Sequence, residues 1–463
     1  MIKTTIMTKT ITMKKVALLI AGAAMMGGVA THVNAANWLI LQGTEPAGSA
    51  PRAKLWGFLQ VQYQKDYSDP NANNQYVPPK LIGPSLGSQQ QFNVNRARVG
   101  IRGTGFPLDP NVNYFLLAEF GKNAITNAAD GPVHVTDASI TLNHINGARL
   151  RMGLFKYPGA EEALQAIHVF DYINFTSVTN QLLLERFQTS KSVNDVSDTP
   201  PQTLPAQQSL NGFDRPVGAF RDVGLQVFDM FEVGDWEHSY AVMYGNGNGL
   251  NYGDNDDNKD LYVYLSSELV LGGQGPRREG LKMFAWQQSG ERAFDGDGDG
   301  QVENYDRKRM GLGVKYLQKP FRFTAEYMKG EGMIFNGPDK PSYGLVPPSA
   351  GNPAHPANGL NQEASGFTVE GGWYIPNTKW EIDLRYDVYN RLEDNTGAYE
   401  LEFKTVTLGT QYHFNKKTRL TINYEIRDAE AVKFGNEPPP PPNPNINLKG
   451  VDNRASVQVT HIF

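Results

Sequence analysis

The chain has 463 residues, with 43 Lys and Arg against 48 Asp and Glu for a formal net charge of −5, and it has no Cys. An acidic balance excludes a general nucleic-acid binder, and the lack of Cys excludes a disulfide scaffold, a Cys-ligated metal and covalently attached haem. With 47 Gly, 21 Tyr and 23 Phe and few helical periods, the composition describes an all-β chain with many turns.

The N-terminus carries Lys14 and Lys15, an apolar run from Val16 to Ala30 and a small-residue site at Val33-Asn34-Ala35. These are the parts of a secretory signal peptide, expected over residues 1–35, with 1–12 as an upstream extension. Its removal takes Lys3, Lys9, Lys14 and Lys15 and no acidic residue, so the exported chain moves from −5 to −9. Residues 36–52 are expected as a short N-terminal periplasmic segment and 53–463 as a transmembrane barrel. No later segment approaches the roughly 18 consecutive apolar residues of a membrane helix. An exported, Cys-free, aromatic and β-rich chain fits the Gram-negative outer membrane, with lipid as one partner.

Alternation of apolar and polar residues predicts sixteen strands: 53–65, 91–103, 111–120, 133–144, 148–155, 220–230, 235–245, 259–269, 280–290, 304–317, 320–330, 363–375, 379–391, 400–414, 418–429 and 452–463. An even count suits a single-chain antiparallel barrel. Short turns, such as Asn146-Gly147 and Asn415 to Lys417, alternate with long polar connections, the asymmetry of periplasmic turns and external loops. Trp380, Ile382, Leu384, Tyr386 and Val388 share one face of their strand while Glu381, Asp383, Arg385 and Asp387 share the other. A charge on a lipid face costs about 2–4 kcal/mol near the bilayer midplane, so the charged face is expected to line an aqueous lumen.

In the second strand, "NRARVGIRG" places Arg96, Arg98 and Arg102 on the face opposite Ala97, Val99 and Ile101. Further along, "FDGDGDGQVENYD" has Asp295, Asp297, Asp299, Glu303 and Asp306 at positions one, three, five, nine and twelve of a candidate calcium loop, with Gly300 at the sharp turn. No cofactor is otherwise required. "EPPPPPNPN", Glu437 to Asn445, is a stiff polyproline spacer in the last external loop. The final strand "RASVQVTHIF" ends on Phe463, which resembles the C-terminal signature read by the barrel-assembly machinery.

The stretches "NRARVGIRGTGFPLDPNVNYFLLAEF" and "VTDASITLNHINGARLRMGLFKYPGAEEAL" resemble the phosphate-selective porin O and P family. Arg96, Arg98 and Gly100, then Thr136, Asp137 and Ala138, then Gly153, Lys156 and Pro158 carry the likeness, which is clearest from Gln91 to Arg186. It implies a homotrimeric porin for passive diffusion of small hydrophilic solutes, phosphate or small organic anions among them, whose third external loop folds inward. Arg96, Arg98 and Arg102, with Arg149 and Arg151 and with Arg307 and Arg309, are expected to form an anion track; pairing with inward carboxylates is the other reading of each. The constriction loop carries Lys156, His168 and Arg186 against Glu161, Glu162 and Asp171, with Tyr157 between them. That mixed charge looks more like a general pore, or one for small organic anions, than a phosphate site, and a general or cation-leaning porin is the alternative. A barrel sheathing a partner protein, and a barrel enzyme, are the readings from other classes.

Overall fold

The computed structural model of the protein describes residues 37–41, 43–44, 52–68, 90–123, 125–126, 132–185, 219–250, 253–254, 257–273, 275, 277–294, 303–334, 361–392, 400–431 and 451–463. Sixteen strands form one closed antiparallel barrel in which each pairs with its neighbours in sequence and the last with the first. They are β1 (Lys54–Asp66), β2 (Gln90–Gly105), β3 (Asp109–Glu119), β4 (His134–Leu142), β5 (Arg149–Lys156), β6 (Arg221–Val233), β7 (Trp236–Gly245), β8 (Asp260–Gly272), β9 (Glu279–Phe294), β10 (Glu303–Gln318), β11 (Phe321–Glu331), β12 (Glu363–Tyr374), β13 (Trp380–Arg391), β14 (Leu401–Asn415), β15 (Thr418–Ala431) and β16 (Arg454–Ile462). Every expected strand is present, with ends shifted by four residues or fewer. Among the described residues no helix is long and apolar enough to cross a membrane.

Period two sorts the side chains. Along β13, Ile382 and Leu384 are exposed on the outer face, while Glu381, Asp383, Arg385 and Asp387 are buried inside. Outer exposure of Leu59, Val61, Val99, Ile101, Ile426, Val457 and Val459 continues the apolar band around the barrel. Two β-bulges break the period where the sequence motifs lie. Gln60 pairs with Arg96 but Val61 pairs with Val94, so Asn95 and Arg96 both turn inward. Leu117 pairs with Asp137 but Ala118 pairs with Val135, which turns both Thr136 and Asp137 inward.

On β6 to β9 the inward face is mixed: Gln226, Glu237, Ser239, Asp260 and Gln288 are buried there, and beside them Phe228, Met243, Tyr262, Tyr264, Phe284 and Trp286 form part of one apolar cluster. The cluster is completed by Ala163, Leu164, Leu182, Leu183 and Leu184 from the connection between β5 and β6. An inward apolar face is stable because this chain segment, rather than water, covers it.

The seam between β1 and β16 closes on Gly57. Its N–H donates to the Phe463 carbonyl at 3.3 Å and its carbonyl accepts from the Phe463 N–H at 3.0 Å. A Cβ built on Gly57 would lie 2.4 Å from the Phe463 ring, so the terminal aromatic needs a residue without a side chain opposite it.

Candidate functional site

The third long connection enters the barrel directly after β5. Gly153, at φ +129°, sits where a Cβ would come within 2.2 Å of the Ala138 carbonyl oxygen, and this close approach leads into Phe155, Lys156 and Tyr157, all buried. Tyr157 stacks on Tyr262 with ring centroids 4.8 Å apart. A helical turn follows at Glu161–Leu164, a second at Ile167–Val169, and a π-type turn at Thr179–Leu183. The described part, 157–185, thus runs through the lumen, as the family resemblance implied.

Ion pairs fix it at successive points. The Glu161 carboxylate receives Lys282 and, at 2.9 Å, Lys315. Asp171 pairs with Arg277 and lies 3.2 Å from Arg322, which also reaches Glu381 at 2.7 Å. Burial raises the Asp171 carboxyl, but Arg277 and Arg322 outweigh it and hold the group well below the usual carboxylate range. Glu162 accepts the Thr176 hydroxyl at 2.6 Å, and Asp387 accepts the Ser177 N–H at 2.7 Å. Glu185 closes the crossing by pairing with Arg307 at 2.7 Å and Arg309 at 3.2 Å. His168 lies against Phe58, centroids 5.0 Å apart. Burial, with the Arg419 guanidinium nearby, pushes its imidazole down to about 3, so it packs as a neutral ring.

The seven arginines expected in the lumen all turn inward, but they divide into groups with different partners. Arg98 pairs with Glu119 at 2.7 Å, and Arg149 with Asp229 at 2.9 Å. Arg102 donates to the Leu41 and Thr44 carbonyls, and Arg151 donates to the Leu39 carbonyl at 3.2 Å. Residues 37–41, 43 and 44, expected to precede the barrel, therefore rest against its inner wall, with Trp38 and Leu39 buried in the apolar cluster. Arg307 and Arg309 hold Glu185, and Arg307 also holds Asp260. Arg96 donates to Gln60 at 3.1 Å and has no carboxylate partner among the described residues.

Two cavities flank the helical turn Glu161–Leu164, and Glu162 and Gln165 line both. The first gathers Arg96, Arg98, Lys156 and Arg221. The second gathers Glu161, Glu162, Asp171, Glu326 and Glu370. The sequence reading missed Arg221 as a site residue. It stands at the very start of β6, 3.0 Å from Asp137, where loop and strand merge. Arg277, on the turn before β9, was missed because face alternation says nothing about turns.

Arg186, Asp295, Asp297 and Asp299 lie outside the described residues, as do the whole expected signal peptide, 1–35, and the polyproline spacer, Glu437 to Asn445. Glu303 and Asp306 already belong to the β9–β10 ladder, opposite Phe294 and Glu291, and Asp306 accepts a hydrogen bond from Lys308 at 2.6 Å. Among the described residues no three acidic or His side chains stand at metal-ligand spacing.

No protein-family model matches the chain, and no curated protein matches it in sequence. Solved structures do match in shape. An anion-selective porin from Comamonas acidovorans superposes with a TM-score of 0.50 at 12% identity, over 89% of this chain and 99% of that one. The outer membrane channel DcaP of Acinetobacter baumannii gives 0.50 at 13%, over 91% and 100%. The likeness is one of fold: the closed sixteen-stranded barrel described above is the architecture of outer-membrane porins.

Proposed function

We propose that this chain is a Gram-negative outer-membrane porin, a non-enzymatic channel for passive diffusion of small hydrophilic solutes with a modest preference for anions. The observation that carries the reading is the cavity beside the third loop. Among the described residues, Arg96 there contacts only Gln60 among polar groups, and Lys156 only the Ala163 and Gln165 carbonyls at 2.7 and 2.8 Å. Cations with spare donors in a narrow lumen exchange an anion's water for fixed hydrogen bonds without trapping it. Low-dielectric walls focus their field despite the acidic total charge. Resemblance to the phosphate-selective porins supports phosphate and small organic anions as candidate solutes. The same resemblance supports a homotrimer, and the alternating final strand ending on Phe463 supports insertion by the barrel-assembly machinery after signal cleavage.

The reversal potential of the purified protein in planar bilayers under a salt gradient tests this. Modest anion preference is expected, and Arg96→Gln lowers it. Cation preference that Arg96→Gln leaves unchanged would refute the anion reading. For the assembly, a heat-sensitive species near three times the chain mass in mild detergent is expected; a monomer contradicts it.

A further inference from the structure

The stretch "NWLILQGT", Asn37 to Thr44, carries no charged side chain, and inside the barrel it forms the helical turn Trp38–Leu41. Asn37 both caps and anchors that turn. Its side-chain oxygen accepts the Leu39 N–H at 3.1 Å, and its side-chain amide donates to Glu237 at 3.2 Å and to Ser239. At the far end, carbonyls that so short a turn leaves without an internal partner are taken by arginines. Arg151 donates to the Leu39 carbonyl at 3.2 Å, and Arg102 to those of Leu41 and Thr44 at 3.1 and 2.8 Å. Trp38 and Leu39 are buried in the same apolar cluster as Leu164 and Leu182 of the third loop. Arg102, Arg151, Glu237 and Ser239 all stand close to the short connections β2–β3, β4–β5 and β6–β7, so the segment occupies the end of the lumen that carries the short turns.

Resting on the channel reading above, we propose that this segment is a releasable strap across the short-turn end of the lumen, whose departure both widens the channel and makes it more anion-selective. The third loop is tied into the sheet at both ends and by ion pairs such as those of Glu161 and Glu185. The strap has no charge with which to form one and, once the expected signal peptide is cut, is tethered only through β1. It can leave without breaking a strand pair. The charge it uncovers has one sign. Among the described residues Arg151 then keeps the Thr141 hydroxyl at 3.2 Å and the Phe155 and Phe228 rings, and no carboxylate pairs with it. Glu237 keeps its own partner, Arg278, at 2.8 Å. Release therefore bares a cation and no anion.

Single-channel recordings of the full-length protein in planar bilayers test this. Trp38→Ser with Leu39→Ser loosens the strap. A helical turn with its side chains is about 10 Å across, a large part of a sixteen-strand lumen, so loosening is expected to raise conductance about twofold and to move the reversal potential toward anions. Because the chain has no Cys, Asn37→Cys with Ser239→Cys supplies a single thiol pair that locks the strap when oxidised. The oxidised form is expected to hold the low conductance; dithiothreitol is expected to raise it, since Asn37→Cys has also removed the cap. Equal conductance and reversal potential before and after reduction overturn the proposal, as does a pair that forms no disulfide. A folded Trp38→Ser, Leu39→Ser variant that matches the unaltered protein overturns it as well; if that variant does not fold, the thiol pair decides alone. Conductance from none of these forms overturns the channel reading itself and the strap with it.

Discussion

The inner wall is made of two unlike halves. From β6 to β9 it presents Phe228, Tyr262, Tyr264, Phe284 and Trp286 among its buried residues, and the third loop is held there by apolar contact together with the ion pair of Glu161 and Lys282. From β11 round to β1 it presents Arg322, Glu381, Asp383, Arg385, Glu425, Arg454 and the amides of Gln60, Gln62 and Gln64, and the loop is held there by ion pairs and hydrogen bonds. Both halves position the same segment, but they do so at different cost. Apolar packing is insensitive to solute charge, whereas each ion pair must recover the desolvation of two groups and also shapes the field a solute meets. A constriction anchored by packing on one side can afford to leave a few charges free on the other.

The sharpest way to break this comparison is Arg322→Ala. It leaves Glu381 and Asp383 buried without that guanidinium and deprives Asp171 of one partner. A loss of about 3–5 kcal/mol is expected, measured as a lower midpoint for heat-induced unfolding on gels; a loss no larger than that of an exposed pair would show that the polar half does not hold the loop. Among the apolar contacts, Leu182→Ala is expected to cost about 2–4 kcal/mol by the same measurement and to leave the reversal potential unchanged. A Cβ on Gly330 would lie 2.6 Å from Leu182. Gly330→Ala added to Leu182→Ala should therefore recover part of the loss, while Gly330→Ala alone should not stabilise. Within the loop, Thr176→Val removes the hydroxyl that donates to Glu162 at 2.6 Å and should cost about 1 kcal/mol. Smallest is Lys329→Ala on the outer face, where the pair with Glu363 at 2.6 Å is exposed; less than about 0.5 kcal/mol is expected in the same unfolding midpoint.

The sequence made the barrel legible because period two survives in most strands and because the long and short connections alternate without exception. β13 shows why: each apolar residue from Trp380 to Tyr386 is separated from the next by a charged one, so only one face can meet lipid. β8 shows where this fails. Leu261, Val263 and Leu265 alternate with Tyr262 and Tyr264, and when both faces are apolar the pattern separates the faces without saying which covers the loop. Partners were legible across a hairpin and not beyond it. Arg98 and Glu119 oppose each other in the β2–β3 register, whereas Arg307 finds Glu185 only because a loop crosses the lumen. The loop's inward path came from the family likeness of residues 91–186, since nothing in its own alternation required it. The two opposed cavities were not legible at all: they depend on which charges remain unpaired, a property of the three-dimensional arrangement.

The contact between Gly57 and Phe463 has a bearing on how the barrel comes to exist. Every other strand pair joins neighbours along the chain, but β1 and β16 bring together Gln60 and Thr460, 400 residues apart. Closing a loop of that length costs about 5 kcal/mol of chain entropy on a logarithmic estimate, and none of it is recovered until the nine paired positions of the seam form together. Growth of the sheet by hairpins is local and fast; zipping the seam is neither. Phe463 is thus the latch of the cylinder, and unzipping is expected to begin where Phe463 leaves Gly57.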